Sequence, residues 1–304
     1  MKEKQLVLRR ITLILILHVS HASGSTWDYV DPSTWSNTYP ICAETHQSPI
    51  DLLENITQET SHEYFTLEHH QESIHENMTN TGHSLMIQVS HDVKISGGGL
   101  QGKFKIDQFH FHWGSNSSIG SEHTIDGAHY PLELHVVAHN DSYSNFNDAK
   151  NHSDGLAVFG YVFQIGPTNN SHFDPFFSHL SDVSNKDEHH EVTFKLDDVM
   201  ESSTMTSYFR YHGSLTTPEC FQSVTWTVFD HPKSISEAQM EALRTLHSDN
   251  GTTIMEKNYR PVQQLNNRIV HKYKYTHSGA VTRLSPSIYC LFAGFLSFAK
   301  FIFV

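Results

Sequence analysis

Basic residues are scarce in this chain. Its 20 lysines and arginines stand against 33 acidic residues, a net charge of −13 at pH 7 with histidine neutral. That balance argues against a nucleic-acid partner and suits a soluble extracellular surface. Internal repeats and interdomain linkers are absent, so the 304 residues suggest one enzyme-sized domain. Helical signals are few, and no His-Glu-x-x-His helix is present, which removes the usual signature of a zinc peptidase. Cysteine is limited to Cys42, Cys220 and Cys290.

Long apolar runs occur only at the two ends. Residues 1–22 have a basic start (Lys2, Lys4, Arg9, Arg10), the apolar run Ile11–Val19, and small Ser20 and Ala22 near a cleavage point. This predicts a secretory signal peptide, the alternative being a buried helix. At the other end, small Ser278-Gly279-Ala280 precede a spacer and the apolar Leu291–Val304. That order matches a glycolipid (GPI) anchor signal, with Ser278 the attachment residue and 279–304 removed. A transmembrane helix is the competing reading; the tail has no basic cluster after it and is interrupted by Lys300. The folded domain is thus expected over 23–278, at the extracellular face of the plasma membrane or secreted.

Export changes the reading of other residues. Cys42 and Cys220 remain in the mature chain and suggest one disulfide closing a very long loop, worth at most about 5 kcal/mol; two free buried thiols are the alternative. Seven Asn-x-Ser/Thr sequons, at Asn55, Asn77, Asn116, Asn140, Asn151, Asn169 and Asn250, become candidate glycosylation sites.

What the chain does have is histidine, 25 of them. Gln108-Phe109-His110-Phe111-His112-Trp113-Gly114 reads as a strand. Alternation puts Gln108, His110 and His112 on one face and Phe109, Phe111 and Trp113 on the other. Glu133-Leu134-His135-Val136-Val137 is a second strand with its polar residues in phase. If the two pair, three imidazoles converge, a donor set that suits zinc and leaves a fourth tetrahedral position for water. Ordinary histidines are the plainer alternative.

Further strand-like runs are Tyr64–Leu67, Leu85–Val89, Val93–Ile95, Lys105–Trp113, Leu132–Ala138, Ala157–Ile165, Val192–Lys195 and Val224–Phe229. Helices are expected over Phe173–Leu180 and Ser236–Leu243, the latter capped by Ser234 or Ser236. The fold class is mostly β with a few short helices, around a large, twisted, mainly antiparallel central sheet.

Glu122 and Thr216 offer a second piece of chemistry. A buried carboxylate accepting the Thr216 hydroxyl proton would leave that oxygen able only to accept, which would orient a metal-bound nucleophile. A surface acid and a turn hydroxyl are the plainer readings. His83 follows Gly82 at the start of a strand and could relay protons near neutrality, or be one surface histidine among many.

These segments, Gln-Phe-His-Phe-His-Trp-Gly, Ser-Glu-His-Thr, Glu-Leu-His-Val-Val and Ser-Leu-Thr-Thr-Pro, together with His46–Asp51 and Asn258–Gln263, stand in the order and approximate spacing of the α-class carbonic anhydrases. The resemblance covers essentially the whole mature chain and points to the extracellular, membrane-anchored or secreted subgroup. It implies zinc bound by His110, His112 and His135, with Gln108, Glu133 and the Asn258 carbonyl orienting those rings. It implies reversible hydration of carbon dioxide to bicarbonate by zinc-hydroxide attack. Thr216 and Glu122 would orient the nucleophile and His83 would shuttle protons. The substrate side would be Thr216, Thr217 and an apolar wall of Val137, Val158, Leu215, Val224 and Trp226, with Tyr29 ordering pocket waters. Cys42 and Cys220 resemble the disulfide of the extracellular members, and inhibition by sulfonamides and small anions is implied. A bicarbonate transporter partner is left unknown.

Three departures stand out. Thr81 and Met86 replace polar residues often found near the shuttle, which implies slower proton transfer. Glu219 follows Pro218 where many relatives carry a second proline, usually after a cis bond. A catalytically weak, carbonic-anhydrase-like cell-surface binding module is the rival function; such proteins usually lose a zinc histidine, and this chain keeps all three.

Overall fold

The computed structural model describes residues 27–60 and 63–274. The expected signal peptide, Ser278 and the apolar tail lie outside the described residues.

The strands are β1 (Asp51–Leu52), β2 (Gln58–Thr60), β3 (Phe65–Glu68), β4 (Ser73–Asn80), β5 (Leu85–Gln88), β6 (Lys94–Gly97), β7 (Phe104–Trp113), β8 (Thr124–Ile125), β9 (Leu132–Asn140), β10 (Leu156–Gly166), β11 (His189–Lys195), β12 (Ser207–Gly213), β13 (Val224–Ser236) and β14 (His271–Lys274). Ten form one path in the order β11-β4-β5-β7-β9-β10-β13-β12-β14-β2, with β3 and β6 attached beside β7. The pairings are antiparallel except β10 with β13, β14 with β2, and the separate pair β1 with β8. Helices are short: α1 (Phe146–Ala149), α2 (Asp174–Phe177), α3 (Leu196–Met200) and α4 (Glu237–Leu243).

Alternation along β7 and β9 divides the core. Phe109, Phe111 and Trp113 join Leu132, Leu134, Val136 and Ala138 in the larger apolar cluster. Glu133, His135 and Val137 turn to the opposite face, where Val137, Val158 and Trp226 belong to a second cluster. The pairing of β7 with β9 shifts register between Ile106 and Gln108, a bulge that changes which parity faces the core. Phe104 and Ile106 are buried before it, Phe109 and Phe111 after it.

Some expectations need correction. The helix expected over Phe173–Leu180 is only α2, flanked by 3-10 turns at Ser171–Phe173 and Leu180–Val183. Its aromatic residues read as a helical face, but Phe173, Phe176, Phe177 and Leu180 fill the core from separate short turns. β13 runs on from Phe229 to Ser236 through Pro232, and its partners on β10 jump from Tyr161 to Phe163 there. That irregularity accommodates a residue with no N–H to give. Ser236, not Ser234, caps α4: its hydroxyl accepts from Gln239 N–H at 3.1 Å, and Gln239 Oε1 accepts from Ser236 N–H at 3.3 Å.

Candidate metal centre and active site

His110 is the Cα partner of His135, and His112 that of Glu133, across β7 and β9. The three rings therefore meet, with centroids 4.9 Å apart for His110 and His112, 5.4 Å for His110 and His135, and 4.5 Å for His112 and His135. Each ring has one nitrogen committed. His110 Nδ1 lies 2.8 Å from Gln108 Oε1, His112 Nδ1 lies 2.7 Å from the Asn258 carbonyl, and His135 Nε2 lies 2.7 Å from Glu133 Oε1. Carbonyl and carboxylate oxygens can only accept, so these nitrogens carry the hydrogens and the others keep lone pairs. One ligand nitrogen from each ring lies within 4.8 Å of the others.

His112 Nε2 is buried without a hydrogen-bond partner. An orphaned buried acceptor costs about 1–3 kcal/mol, and a cation at this point would remove that cost. Burial, with repulsion from His112 and His135, holds His110 well below the ordinary imidazole range. Burial and His135 likewise bring His112 to about 3. All three rings are thus neutral donors at pH 7, which is what zinc requires. The fit is good.

Glu133 is held from four sides. It accepts from Glu122 N–H at 2.9 Å, His123 N–H at 2.8 Å, His123 Nδ1 at 2.7 Å and His135 Nε2 at 2.7 Å. Burial raises this carboxyl, but His123 and His135 outweigh it and keep the group well below the usual carboxylate range. His123 Nε2 in turn lies 2.7 Å from the Tyr211 hydroxyl, and Tyr211 lies 2.9 Å from Ser48 Oγ. His123, Glu133 and His135 could also be read as a metal cluster. Their polar atoms are already spent on one another, so the three-histidine set is the better cage.

Glu122 is fully buried. Its Oε1 accepts from Arg260 N–H at 2.8 Å, while its Oε2 is buried without a hydrogen-bond partner, with the Thr216 side chain close by. Burial pushes the carboxyl well up, and Thr216 and the Arg260 N–H oppose it. The Arg260 guanidinium ties the surroundings together, donating to Gln47 Oε1 at 2.8 Å, the Ser48 carbonyl at 2.9 Å and the Cys42 carbonyl at 3.0 Å. Cys42 is bonded to Cys220, with a Cα separation of 5.0 Å, and so fastens the loop that carries Thr216. The Pro218–Glu219 peptide bond in that loop is cis although Glu219 is not proline.

A cavity of about 180 Å³ opens beside the imidazoles, lined by His110, His135, Val137, Val158, Leu215, Thr216, Thr217 and Trp226 among others. Val224, two residues before Trp226 on the same face of β13, is buried in the same apolar cluster as Val137, Val158 and Trp226. At the rim, Lys150 Nζ meets Glu219 Oε2 at 3.2 Å.

His83 is half-buried and stacks on Trp27, ring centroids 3.9 Å apart and planes 11° apart. Burial and the nearby Lys186 lower its pKa from the ordinary imidazole value. Tyr29 is buried beside Trp27 and Trp35. Met86 stands opposite His110 across β5 and β7.

Of the sequons, Asn55, Asn77, Asn116, Asn151, Asn169 and Asn250 are exposed. Asn140 differs from them: it is buried, its amide donates to the Asp154 carbonyl at 3.3 Å, and its carbonyl accepts from Ser142 N–H.

Sequence reading overlooked His123, Tyr211 and Arg260 as site residues. His123 sat beside Glu122 and Arg260 beside Asn258, yet their partners are 88 and up to 218 residues away. No local pattern reports such pairings.

The model of eukaryotic-type carbonic anhydrases matches residues 30–274. Human carbonic anhydrase 12 is 37% identical over 291 residues, covering 89% of this chain and 81% of the relative. Carbonic anhydrase 4 of Oryctolagus cuniculus is 31% identical over 285 residues, covering 90% and 91%. Carbonic anhydrase 6 of Bos taurus is 34% identical over 278 residues, covering 88% and 86%.

Proposed function

The chain belongs to the eukaryotic-type carbonic anhydrase family, and we propose that it catalyses reversible hydration of carbon dioxide at a zinc centre held by His110, His112 and His135. The observation that carries this reading is the buried, unpartnered His112 Nε2 among two further imidazole lone pairs, beside a cavity with an apolar wall. Zinc bound there would acidify a water in its remaining position and so supply a nucleophile near neutral pH, chemistry for which this family is itself the standard case.

The chain's own residues do the rest. Gln108, Glu133 and the Asn258 carbonyl fix which nitrogen each ring presents. Thr216 donates its hydroxyl hydrogen to Glu122, so its oxygen accepts from the nucleophile and aims the attacking lone pair. This role needs an ionised Glu122, which Thr216 and Arg260 favour and burial, the larger effect, opposes. Val137, Val158, Leu215 and Trp226 take a nonpolar gas that offers no charge to grip. Bicarbonate, and the small anions and sulfonamides expected to inhibit, meet the Thr216 N–H and Thr217. Neutral His83 accepts the proton that must leave after each turnover.

The site belongs outside the cell, delivered by the 1–22 signal peptide and retained by a lipid anchor at Ser278. A disulfide between Cys42 and Cys220 and exposed sequons support that placement. Stopped-flow carbon dioxide hydration by the purified protein, with and without a chelator, tests the enzyme. Hydration that survives complete loss of metal would overturn the site. Release from cells by a phosphatidylinositol-specific phospholipase tests the anchor.

A further inference from the structure

A second cluster of donors lies away from this cavity, at the sheet edge. β11 is the terminal strand, three places from β7. His190 on β11 and His179 and Asp182 at the adjoining turn bring their ligand atoms within 4.8 Å of one another. The backbone under them is fixed. Leu180 and Val183 of the 3-10 turn are buried in the core, Asp182 N–H donates to the His179 carbonyl at 3.0 Å, and His190 is paired with Met78 of β4.

The separations are informative. His179 Nδ1 and His190 Nδ1 both approach Asp182 Oδ2, at 3.1 and 3.3 Å. A charge-assisted hydrogen bond to a carboxylate is ordinarily about 2.7–2.9 Å. Ligands about 2.0–2.2 Å from a shared zinc ion, placed at tetrahedral corners, stand about 3.3–3.6 Å apart. The His190 separation already matches the edge of such a tetrahedron, and the His179 one, a longish hydrogen bond, lies just inside it. The two rings are stacked at 4.1 Å with an 18° tilt, and all three side chains are partly exposed. A swing about χ2, a soft torsion for histidine, turns both lone pairs inward without moving the backbone.

We propose that His179, Asp182 and His190 form a second, surface site for a divalent transition metal, zinc foremost. Two imidazoles and a carboxylate suit zinc, copper and nickel, and leave a corner for water. The site is independent of the catalytic reading: it shares no residue with the three-histidine cage. Because its rings must turn, it binds more weakly than a cage whose nitrogens are already aimed.

The test is equilibrium dialysis of the purified, zinc-loaded protein at micromolar free zinc, counting metal per chain by elemental analysis. Two zinc ions are expected in the wild type and one in His179→Ala/His190→Ala. Asp182→Asn, isosteric and exposed, should also lose the second ion and guards against an unfolded double variant. One ion in the wild type overturns the proposal. So does a second ion that persists in both variants, which would place it elsewhere among the surface histidines.

Discussion

Glu133 and His135 are two residues apart on β9, and the 2.7 Å contact between Glu133 Oε1 and His135 Nε2 reverses that ring relative to its neighbours. His110 and His112 commit Nδ1 and keep Nε2 free, whereas His135 commits Nε2 and keeps Nδ1. The cage therefore depends on a carboxylate that stays ionised and stays in place. Its other three donors, from Glu122 N–H and the backbone and ring of His123, do that work.

Glu133→Gln should weaken zinc binding by about 10–100-fold, because the ring loses its anionic acceptor. Zinc dissociation measured against a competing chelator checks this; unchanged retention would mean that packing alone orients His135.

Thr216→Val should keep zinc and the fold but lower kcat/KM by about 100-fold, the usual scale when a reacting group loses its alignment. Metal analysis beside stopped-flow hydration separates this from loss of the ion.

His83→Ala should slow kcat in dilute buffer, with partial rescue by added imidazole. In the proposed role neutral His83 accepts the proton, and its pKa lies below the ordinary 6.5. Turnover in weak buffer should therefore rise with pH through a midpoint below that value and then level. A midpoint above it would point to another acceptor.

Cys42→Ser/Cys220→Ser opens a loop of 178 residues, for which chain entropy gives at most about 5 kcal/mol. The melting temperature should fall, and kcat with it, because Cys220 fastens the loop carrying Thr216. Thermal unfolding and hydration rates of the two proteins settle the point.

The parts that could be read ahead are those with local periodicity. Phe109, Phe111 and Trp113 alternate with His110 and His112 over a single strand, and the face assignment follows from counting by two. Strands buried on both faces defeat that count. β12 (Ser-Tyr-Phe-Arg-Tyr-His-Gly) is buried at all but one position, Arg210 included, whose guanidinium donates to the Gly98 carbonyl at 3.0 Å. β4 hides Glu76 among Ile74 and Met78, where the carboxylate caps the Ser90 and His91 N–H groups at 2.7 and 3.1 Å. Neither is among the strand-like runs of the sequence: β12 offers no alternation to count, and β4 alternates but carries a carboxylate in its buried phase. The supporting shell of the site was hidden for a different reason: Arg260, His123 and Tyr211 matter through partners that only tertiary folding brings near.

The opposition of His110 and His135 across one antiparallel ladder has a consequence for assembly. All three rings lie within residues 110–135, on neighbouring strands that close over a short separation. Asn258 and Cys42 must come from the far ends of the domain to complete the pocket. The donors are thus gathered locally while their aim is set from afar: a fault in how the chain's ends pack would reach His112 through the Asn258 carbonyl without touching the ladder that carries it.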